Sequence, residues 1–178
     1  VIGGGPSGAT AAEQLAKKGF KVALIDRAGR IKPCGGAIPP RLIEDFEIPQ
    51  SQLVAKIKTA RMISPTNRKV DIPIENGYVG MVDREFFDEY LRERAAKRGA
   101  KRFTGTFVNL YKSSEYTKVD FNNHSTKKIS TLLTRYVIGA DGAKSNVARS
   151  TIKDAHKIPY VIAYHEIIEA PGATSEYN

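Results

Sequence analysis

A glycine-rich hexapeptide near the start of the chain most strongly limits what the sequence can fold into. Gly3-Gly4-Gly5-Pro6-Ser7-Gly8 fits the pattern G-x-G-x-x-G. In this pattern the first glycine allows a tight turn, the second lets a ligand approach the backbone, and the third lets a helix pack closely on a sheet. Helical spacing of apolar residues predicts a helix from Pro6 to Lys18, and the apolar run Phe20–Ile25 predicts the next strand. The order of strand, glycine turn, helix and strand predicts a βαβ unit in a parallel sheet.

The first turn of this helix is a predicted phosphate site, because free N–H groups and the helix dipole favour an anion there. The candidate residues for binding a dinucleotide are Gly3, Gly5, Pro6, Ser7 and Gly8.

Asp26 ends the second predicted strand, where a carboxylate typically binds the adenosine ribose of a dinucleotide. A carboxylate suits free ribose hydroxyls and repels a 2′-phosphate, so the loop favours FAD or NAD over NADP. The neighbouring Arg27 could pair with a phosphate, cover the adenine or face solvent. The alternative is an ordinary turn followed by a surface aspartate, and the loop alone does not separate FAD from NAD.

A second glycine motif, Gly139-Ala140-Asp141-Gly142, follows a predicted strand and precedes a short helix start. Asp141 is able to accept a hydrogen bond from a ribitol or ribose hydroxyl, while Gly139 and Gly142 keep the backbone close to a ligand. The alternative is that Asp141 simply caps the helix that follows. The spacing does not decide between the two.

Hydrophobic periodicity and turn residues predict the remaining elements. A strong helix follows the N-cap Asp83, buries Phe87, Leu91 and Ala95, and ends at Gly99. A short helix is predicted near Arg41–Phe46. The predicted strands are Lys58–Ser64, Lys69–Ile72, Gly77–Val82, Phe103–Tyr111, Lys118–Phe121, Leu132–Ile138 and Ile158–Ile168.

The 178 residues are 41% hydrophobic and 26% charged, which is typical of a globular protein with one substantial core. No apolar run approaches the roughly 20 residues that a membrane-spanning helix needs. Because only two residues precede the glycine loop, we expect the chain to be an internal piece of a longer protein. The single cysteine, Cys34, excludes an internal disulfide and favours a reducing compartment. The three histidines are far apart, so no metal site is predicted.

A net charge of +9 would suit nucleic acid or an anionic membrane. The basic residues, however, are spread over different predicted elements, and we interpret them as a solvated surface. They include Lys17, Lys18, Arg92, Arg94, Lys97, Arg98, Lys127 and Lys128.

The glycine loop, the Asp141-Gly142 motif and an arginine at the start of a helix, Arg84, together resemble the flavoproteins with the fold of para-hydroxybenzoate hydroxylase. The resemblance implies an α/β, Rossmann-like FAD-binding domain with the start of a β-rich substrate domain. It divides the chain into 1–56, 57–82, 83–155 and 156–178, with the second and last pieces in the substrate region. It also implies that Arg84 reaches the phosphates or ribityl chain of FAD; the alternative is a first-turn arginine in water.

The segment Lys32-Pro33-Cys34-Gly35-Gly36 is more distinctive and resembles the geranylgeranyl reductases. Ile48-Pro49, Met62–Pro65 and Val79–Arg84 are similar to the branch that acts in chlorophyll and bacteriochlorophyll synthesis. This resemblance implies FAD as cofactor and NADPH as reductant. The reaction it implies is the saturation of three of the four double bonds of a geranylgeranyl chain, giving phytyl, on the pigment or on the free diphosphate.

The same resemblance places Cys34, Gly35 and Gly36 against the flavin ring, with Cys34 as a candidate catalytic residue whose chemical role stays open. The alternative for Cys34 is a buried thiol that acts as a small hydrophobe. The isoprenoid substrate implies a location in the cytoplasm or peripherally on the photosynthetic membrane of a phototroph, and no nucleic-acid partner is expected. Rival hypotheses are a flavin monooxygenase or halogenase of the same fold, and a basic non-catalytic binding module.

Overall fold

Two compact units make up the computed structural model, which describes residues 1–29, 34–75 and 77–164. Residues 1–29 and 88–162 belong to the first unit, and 34–75, 77–87 and 163–164 belong to the second. Lys32 and Pro33 of the predicted cysteine loop, and the end of the predicted strand Ile158–Ile168, lie outside the described residues. The finer division of the chain into four pieces stays a prediction.

The described residues form four α-helices and nine strands. The helices are α1 (Pro6–Lys17), α2 (Pro40–Asp45), α3 (Arg84–Lys97) and α4 (Asn146–Thr151), with single 3₁₀ turns at Gln50–Gln52 and Ala155–Lys157. The strands are β1 (Ala23–Asp26), β2 (Ala37–Ile38), β3 (Ala55–Ile57), β4 (Thr59–Ile63), β5 (Lys69–Pro73), β6 (Val79–Met81), β7 (Lys101–Lys112), β8 (Thr117–Asn123) and β9 (Lys128–Thr134). Within the described ranges, none of the helices has the length and apolarity to cross a membrane.

The predicted parallel βαβ unit is confirmed in the first unit. Ile2 forms parallel bridges to Ile25 on one side and to Gly139 on the other. Strand β1 continues the sheet by pairing in parallel with β7, in a register that places Asp26 opposite Thr104. Strands β7, β8 and β9 then form an antiparallel meander, so the sheet is mixed and the α/β class is confirmed.

Two predicted strands have different bounds in the structure. The strand expected at Phe20–Ile25 begins only at Ala23, because the amides of Gly19 and Phe20 bond back to the last turn of α1. Phe20 is 58% exposed and adds nothing to the sheet. The strand expected at Leu132–Ile138 is β9, which begins at Lys128 and ends at Thr134, since it pairs along the whole of β8.

The predicted strand from Ile158 is wrong over its described part, because residues 158–164 contain no helix or strand. The strand expected at Lys58–Ser64 is β4, and a separate short strand, β3, precedes it.

Two apolar clusters cover opposite faces of β1. Leu24 packs with Ala12 of α1, Ala95 of α3 and Ala100, while Ile25 packs with Ile2, Phe107, Val119, Phe121 and Val147. Successive strand residues point to opposite faces, so one short strand serves both clusters. The small side chains of the first cluster let α1 and α3 lie close to the sheet.

The second unit contains two small antiparallel sheets. Strand β6 lies between β2 and β3, with Ala37 and Ala55 both opposite Met81. Strands β4 and β5 form a separate hairpin. The predicted helix cap is confirmed at the start of α3, where Asp83 accepts a hydrogen bond from the amide of Glu85 at 2.9 Å.

Candidate functional site

The glycine loop has the backbone geometry that its sequence pattern predicts. Gly3 has a φ of +101°, and a Cβ there would collide with the carbonyl oxygen of Ala140. A Cβ at Gly8 would collide with the carbonyl oxygen of Gly3. Gly5 is different, because a Cβ there has no heavy atom of the described residues within 4 Å. The loop is therefore closed on its protein side and open at Gly5, as a phosphate cradle requires.

Helix α1 offers amide donors at this open position. Gly5 is its N-cap residue, Pro6 occupies the first helical position, and no side chain of the described residues caps the helix. The amides of Ser7 and Gly8 belong to the first turn, where a helix provides no acceptor for them. Together with the helix dipole, these groups fit the pyrophosphate of a dinucleotide.

Asp26 connects the glycine loop to the loop that follows β1. Its Oδ2 accepts a hydrogen bond from the Gly4 amide at 2.7 Å, and its Oδ1 accepts one from the Ala28 amide at 3.0 Å. A carboxylate offers about four acceptor positions, so about two remain for ribose hydroxyls. Asp26 ends β1 as predicted, and the neighbouring Arg27 is exposed.

Arg92 belongs to the same cluster, although its basic side chain is predicted from the sequence to lie on the solvated surface. Its side chain is only 12% exposed. Its Nη1 donates to the Gly4 carbonyl at 3.1 Å and lies 3.6 Å from Oδ1 of Asp26. The expectation of a solvated surface is also wrong for Arg94, which is 15% exposed and lies 2.8 Å from the buried Glu13 of α1. These contacts join residues that lie 66 to 88 positions apart, so helical spacing and charge on α3 alone do not predict them.

Glu89 holds Arg92 in place. Its Oε2 accepts a hydrogen bond from Nε of Arg92 at 2.9 Å, and its Oε1 lies 2.8 Å from Nη2 of Arg102. Partial burial raises the pKa of Glu89, but hydrogen bonds and charges from the two arginines outweigh it, and the net pKa is lowered. Glu89 therefore stays ionised at neutral pH and keeps Arg92 paired.

The second glycine motif lies beside the first. The Ile2 amide donates to the Ile138 carbonyl at 2.9 Å, and the Ala140 amide donates to the Ile2 carbonyl at 2.7 Å. The structure thus brings together two motifs that are separated by more than 130 residues in the sequence.

Asp141 caps α4. Its carboxylate accepts hydrogen bonds from the Ser145 hydroxyl and from the amides of Asn146, at 2.7 Å, and Val147, at 3.2 Å. About one acceptor position remains on this carboxylate. Gly142 has a φ of +90°, a conformation that favours glycine. The capping interpretation is confirmed, and the predicted contact of Asp141 with a cofactor stays a prediction.

The other predicted site residues belong to the second unit. Cys34 is exposed, so it does not act as a buried small hydrophobe. Its sulfur accepts a hydrogen bond from the Gly36 amide at 3.5 Å. Gly36 has a φ of +73° and packs on the Val82 carbonyl, whereas Gly35 has open space beside it. Arg84 is the first residue of α3 and is partly buried. The structure groups Cys34, Gly35, Gly36 and Arg84 in one unit and the two glycine motifs in the other.

Comparison with known proteins finds curated relatives that are named as reductases. The chain is 61% identical over all 178 residues to the geranylgeranyl diphosphate reductase of Rhodobacter capsulatus, and it spans 45% of that protein. It is 41% identical to the chloroplastic geranylgeranyl diphosphate reductase of Arabidopsis thaliana, with 99% of the chain and 40% of the relative covered. The chain thus spans less than half the length of these curated relatives.

A solved structure of a reductase-like protein also resembles this chain. The geranylgeranyl bacteriochlorophyll reductase-like protein of Thermoplasma acidophilum superposes with a TM-score of 0.77 at 26% identity, covering 91% of this chain and 42% of that one. A family model described as an FAD binding domain matches residues 1–157, which include both glycine motifs. The chain therefore belongs to the FAD-binding domain family.

Proposed function

We propose that the protein containing this chain is an FAD-dependent reductase that saturates double bonds of a geranylgeranyl group. The observation that carries the proposal is the 61% identity with a geranylgeranyl diphosphate reductase, which extends over the whole chain. The finer steps of the proposal are NADPH as the reductant and phytyl as the product. The carrier of the isoprenoid is then either the free diphosphate or a chlorophyll-type pigment.

The first unit is suited to the adenosine and pyrophosphate part of FAD. In the proposal, the open face of Gly5 and the amides of Ser7 and Gly8 bind the pyrophosphate. Asp26 binds the ribose hydroxyls with its remaining acceptor positions. Asp141 and Gly142 lie beside the glycine loop and contribute to the same cofactor surface. Asp141 does so with the one acceptor position of its carboxylate that is not used in capping α4.

The second unit is proposed to bind the flavin-ring end of FAD, which is the end that reacts. Arg84 would pair with a phosphate or the ribityl chain, since its guanidinium is always charged. Gly35 offers a backbone with open space beside it, which suits close approach of a flat ring. Cys34 is exposed, and its thiol is suited to position the substrate or to donate a proton.

When bound and reduced, FAD would supply the hydride chemistry for one alkene carbon. An isolated alkene is a poor hydride acceptor, so the protein must hold the isoprenoid in register and provide a proton for the other carbon. The net result balances as one hydride and one proton added across each double bond.

The decisive experiment uses the full-length protein under anaerobic conditions, with NADPH and either geranylgeranyl diphosphate or a geranylgeranyl-bearing bacteriochlorophyll. We expect mass spectrometry to show products that gain two hydrogens per reduced bond, and the better substrate identifies the carrier. Replacing NADPH by NADH tests the reductant. If no saturated product forms and an aromatic compound is instead hydroxylated or halogenated in the presence of oxygen, the reductase proposal is wrong and the monooxygenase or halogenase hypothesis is correct.

The purified full-length protein also tests the non-enzyme hypothesis, which is a basic non-catalytic binding module. Bound FAD, seen as a yellow protein with flavin absorbance, supports the enzyme. A colourless protein that binds anionic vesicles or nucleic acid only at low salt would support the basic binding module. Cell fractionation tests the proposed location, in the cytoplasm or peripherally on the photosynthetic membrane.

A further inference from the structure

We propose that Arg92 is a positioning residue that holds the glycine loop and Asp26 in the arrangement that binds FAD. It would act through the Gly4 carbonyl and the Asp26 carboxylate, without touching the cofactor. The inference deepens the proposed function and rests on it, because it requires FAD to bind at Gly3–Gly8.

Arg92 donates hydrogen bonds to Glu89, which holds its guanidinium, and to the carbonyl of Gly4, which it positions. Nε is used by Glu89 at 2.9 Å, while Nη1 donates to the Gly4 carbonyl at 3.1 Å. A guanidinium is planar and fixes these donors relative to each other, so a held Nε also fixes the direction of Nη1. Because Glu89 is itself held by Arg102 at 2.8 Å, the strand that bears Arg102 and the helix that bears Arg92 together determine where the guanidinium points.

The packing around Gly4 explains a glycine that the motif does not require. Gly4 occupies a variable position of G-x-G-x-x-G, yet a Cβ there would lie 2.8 Å from Cβ of Asp26 and 2.9 Å from Cδ of Arg92. The backbone of Gly4 is thus enclosed by the carboxylate that accepts its amide and the guanidinium that donates to its carbonyl. Both polar groups of one residue in the loop are held by charged side chains.

The charge of Arg92 also acts on Asp26. Nη1 lies 3.6 Å from Oδ1 of Asp26, and the two side chains are 12% and 27% exposed. An opposite charge at this distance attracts the Asp26 carboxylate and restrains its orientation at the end of β1. Arg92 would therefore contribute to cofactor affinity through both the shape of the loop and the position of the ribose-binding carboxylate.

The test uses apoprotein of the full-length chain and measures the Kd of FAD and of ADP, together with the Tm of the apoprotein. We expect Arg92→Gln to weaken both ligands by the same factor, roughly tenfold to a hundredfold, as for loss of a charge-assisted hydrogen bond. Arg92→Lys should recover part of this affinity, because an ammonium can reach one acceptor but cannot reproduce the fork.

Arg94→Gln is the matched control, since Arg94 is a similarly buried arginine of the same helix that lies against Glu13 of α1. If Arg92 has a purely structural role, Arg92→Gln and Arg94→Gln will behave alike. In both variants the loss of FAD affinity will then be proportional to the loss of Tm. The positioning role requires a loss of affinity in Arg92→Gln that is larger than its loss of Tm explains.

A double-mutant cycle with Asp26→Asn gives an independent measure. If Arg92 acts through Asp26 and the loop, the effects on FAD affinity will be strongly non-additive; additive effects overturn the proposal. Should wild-type protein fail to bind FAD at all, the proposed function itself is wrong. Should wild-type protein bind FAD and Arg92→Gln bind it equally well, only the role of Arg92 is wrong.

Discussion

Asp26 and Asp141 lie at the ends of two parallel segments that flank Ile2 on either side, yet the structure uses them differently. Asp26 accepts two backbone amides from two different loops and lies beside Arg92. Asp141 accepts three donors, all from the turn and helix that immediately follow it. Asp26 therefore joins two loops of the candidate cofactor surface and keeps acceptor positions for a ligand. Most acceptor positions of Asp141, by contrast, are used by the turn and helix that follow it. The same residue type at similar positions need not have the same function.

The largest expected effect comes from breaking the contact between the two motifs. Gly3→Ala would place a Cβ against the carbonyl oxygen of Ala140 at a φ of +101°. Strain and overpacking together should cost roughly 2–6 kcal/mol of folding free energy. We expect loss of both the cooperative unfolding transition and FAD binding in the full-length protein, measured by circular dichroism and flavin fluorescence.

Gly5→Ala provides the control for this prediction, since its Cβ would meet open space. That variant should lose at most about 1 kcal/mol of stability, the cost of alanine at the N-cap of α1, and should lose FAD affinity because the methyl group occupies the space assigned to the pyrophosphate. Full FAD affinity in Gly5→Ala would mean that the pyrophosphate binds elsewhere.

The second prediction tests the ligand-binding carboxylate. Asp26→Asn removes the charge and turns an amide group towards one of the two donors, Gly4 N–H or Ala28 N–H. We expect FAD affinity to fall about tenfold or more, as when a hydrogen bond to a charged group is lost. Titration of the apoprotein with FAD checks this, and an affinity within a factor of about 2 of wild type would contradict the role of Asp26 in the ribose site.

The third prediction concerns the capping carboxylate. Asp141→Asn should lower the free energy of unfolding by about 1 kcal/mol, because an amide nitrogen replaces one of the two oxygens that accept from Ser145 and from the first amides of α4. FAD affinity should fall less than in Asp26→Asn, because only about one acceptor position of Asp141 is available to a ligand. Denaturant unfolding and FAD titration of the same two variants make the comparison directly. If Asp141→Asn loses more affinity than Asp26→Asn, the contrast between the two sites is reversed.

Local sequence predicts the parts of this site that local chemistry determines. The glycine loop and α1 are determined by short stretches of neighbouring residues, and the sequence predicts both. It also predicts the end of β1 at Asp26. Helix α3 was predicted because its apolar period and the cap Asp83 agree. Strand β9 was displaced by four residues, since its bounds are determined by pairing with β8 and by a turn in which Lys127 has a φ of +55°.

The contacts of Arg92 depend on tertiary packing even more than the bounds of β9 do. It follows the buried Leu91 on α3 and reads as one more basic surface residue, yet it lies against Gly4, 88 positions away. A charged residue is recognised as buried only when its partners are known, and those partners come from tertiary packing. The glycine at the variable position of the motif was a local signal of that packing, because it marks a place where a Cβ has no room.

The smallest expected effect concerns Glu89, which holds Arg92 in place, and it is tested by lowering the pH. The pKa of Glu89 is lowered from its ordinary value of 4.5 by the two arginines, against the effect of burial. Its contribution to stability is therefore complete above that value and is lost as the pH falls below it. Because the Glu89 side chain is 41% exposed, screening should limit the contribution to less than about 1 kcal/mol. We expect Glu89→Gln to be slightly less stable than wild type at pH 7 and equal to it at the acid end of denaturant titrations. A difference that grows as the pH falls would mean that Glu89 is not held ionised by Arg92 and Arg102, and the supporting network would be wrong.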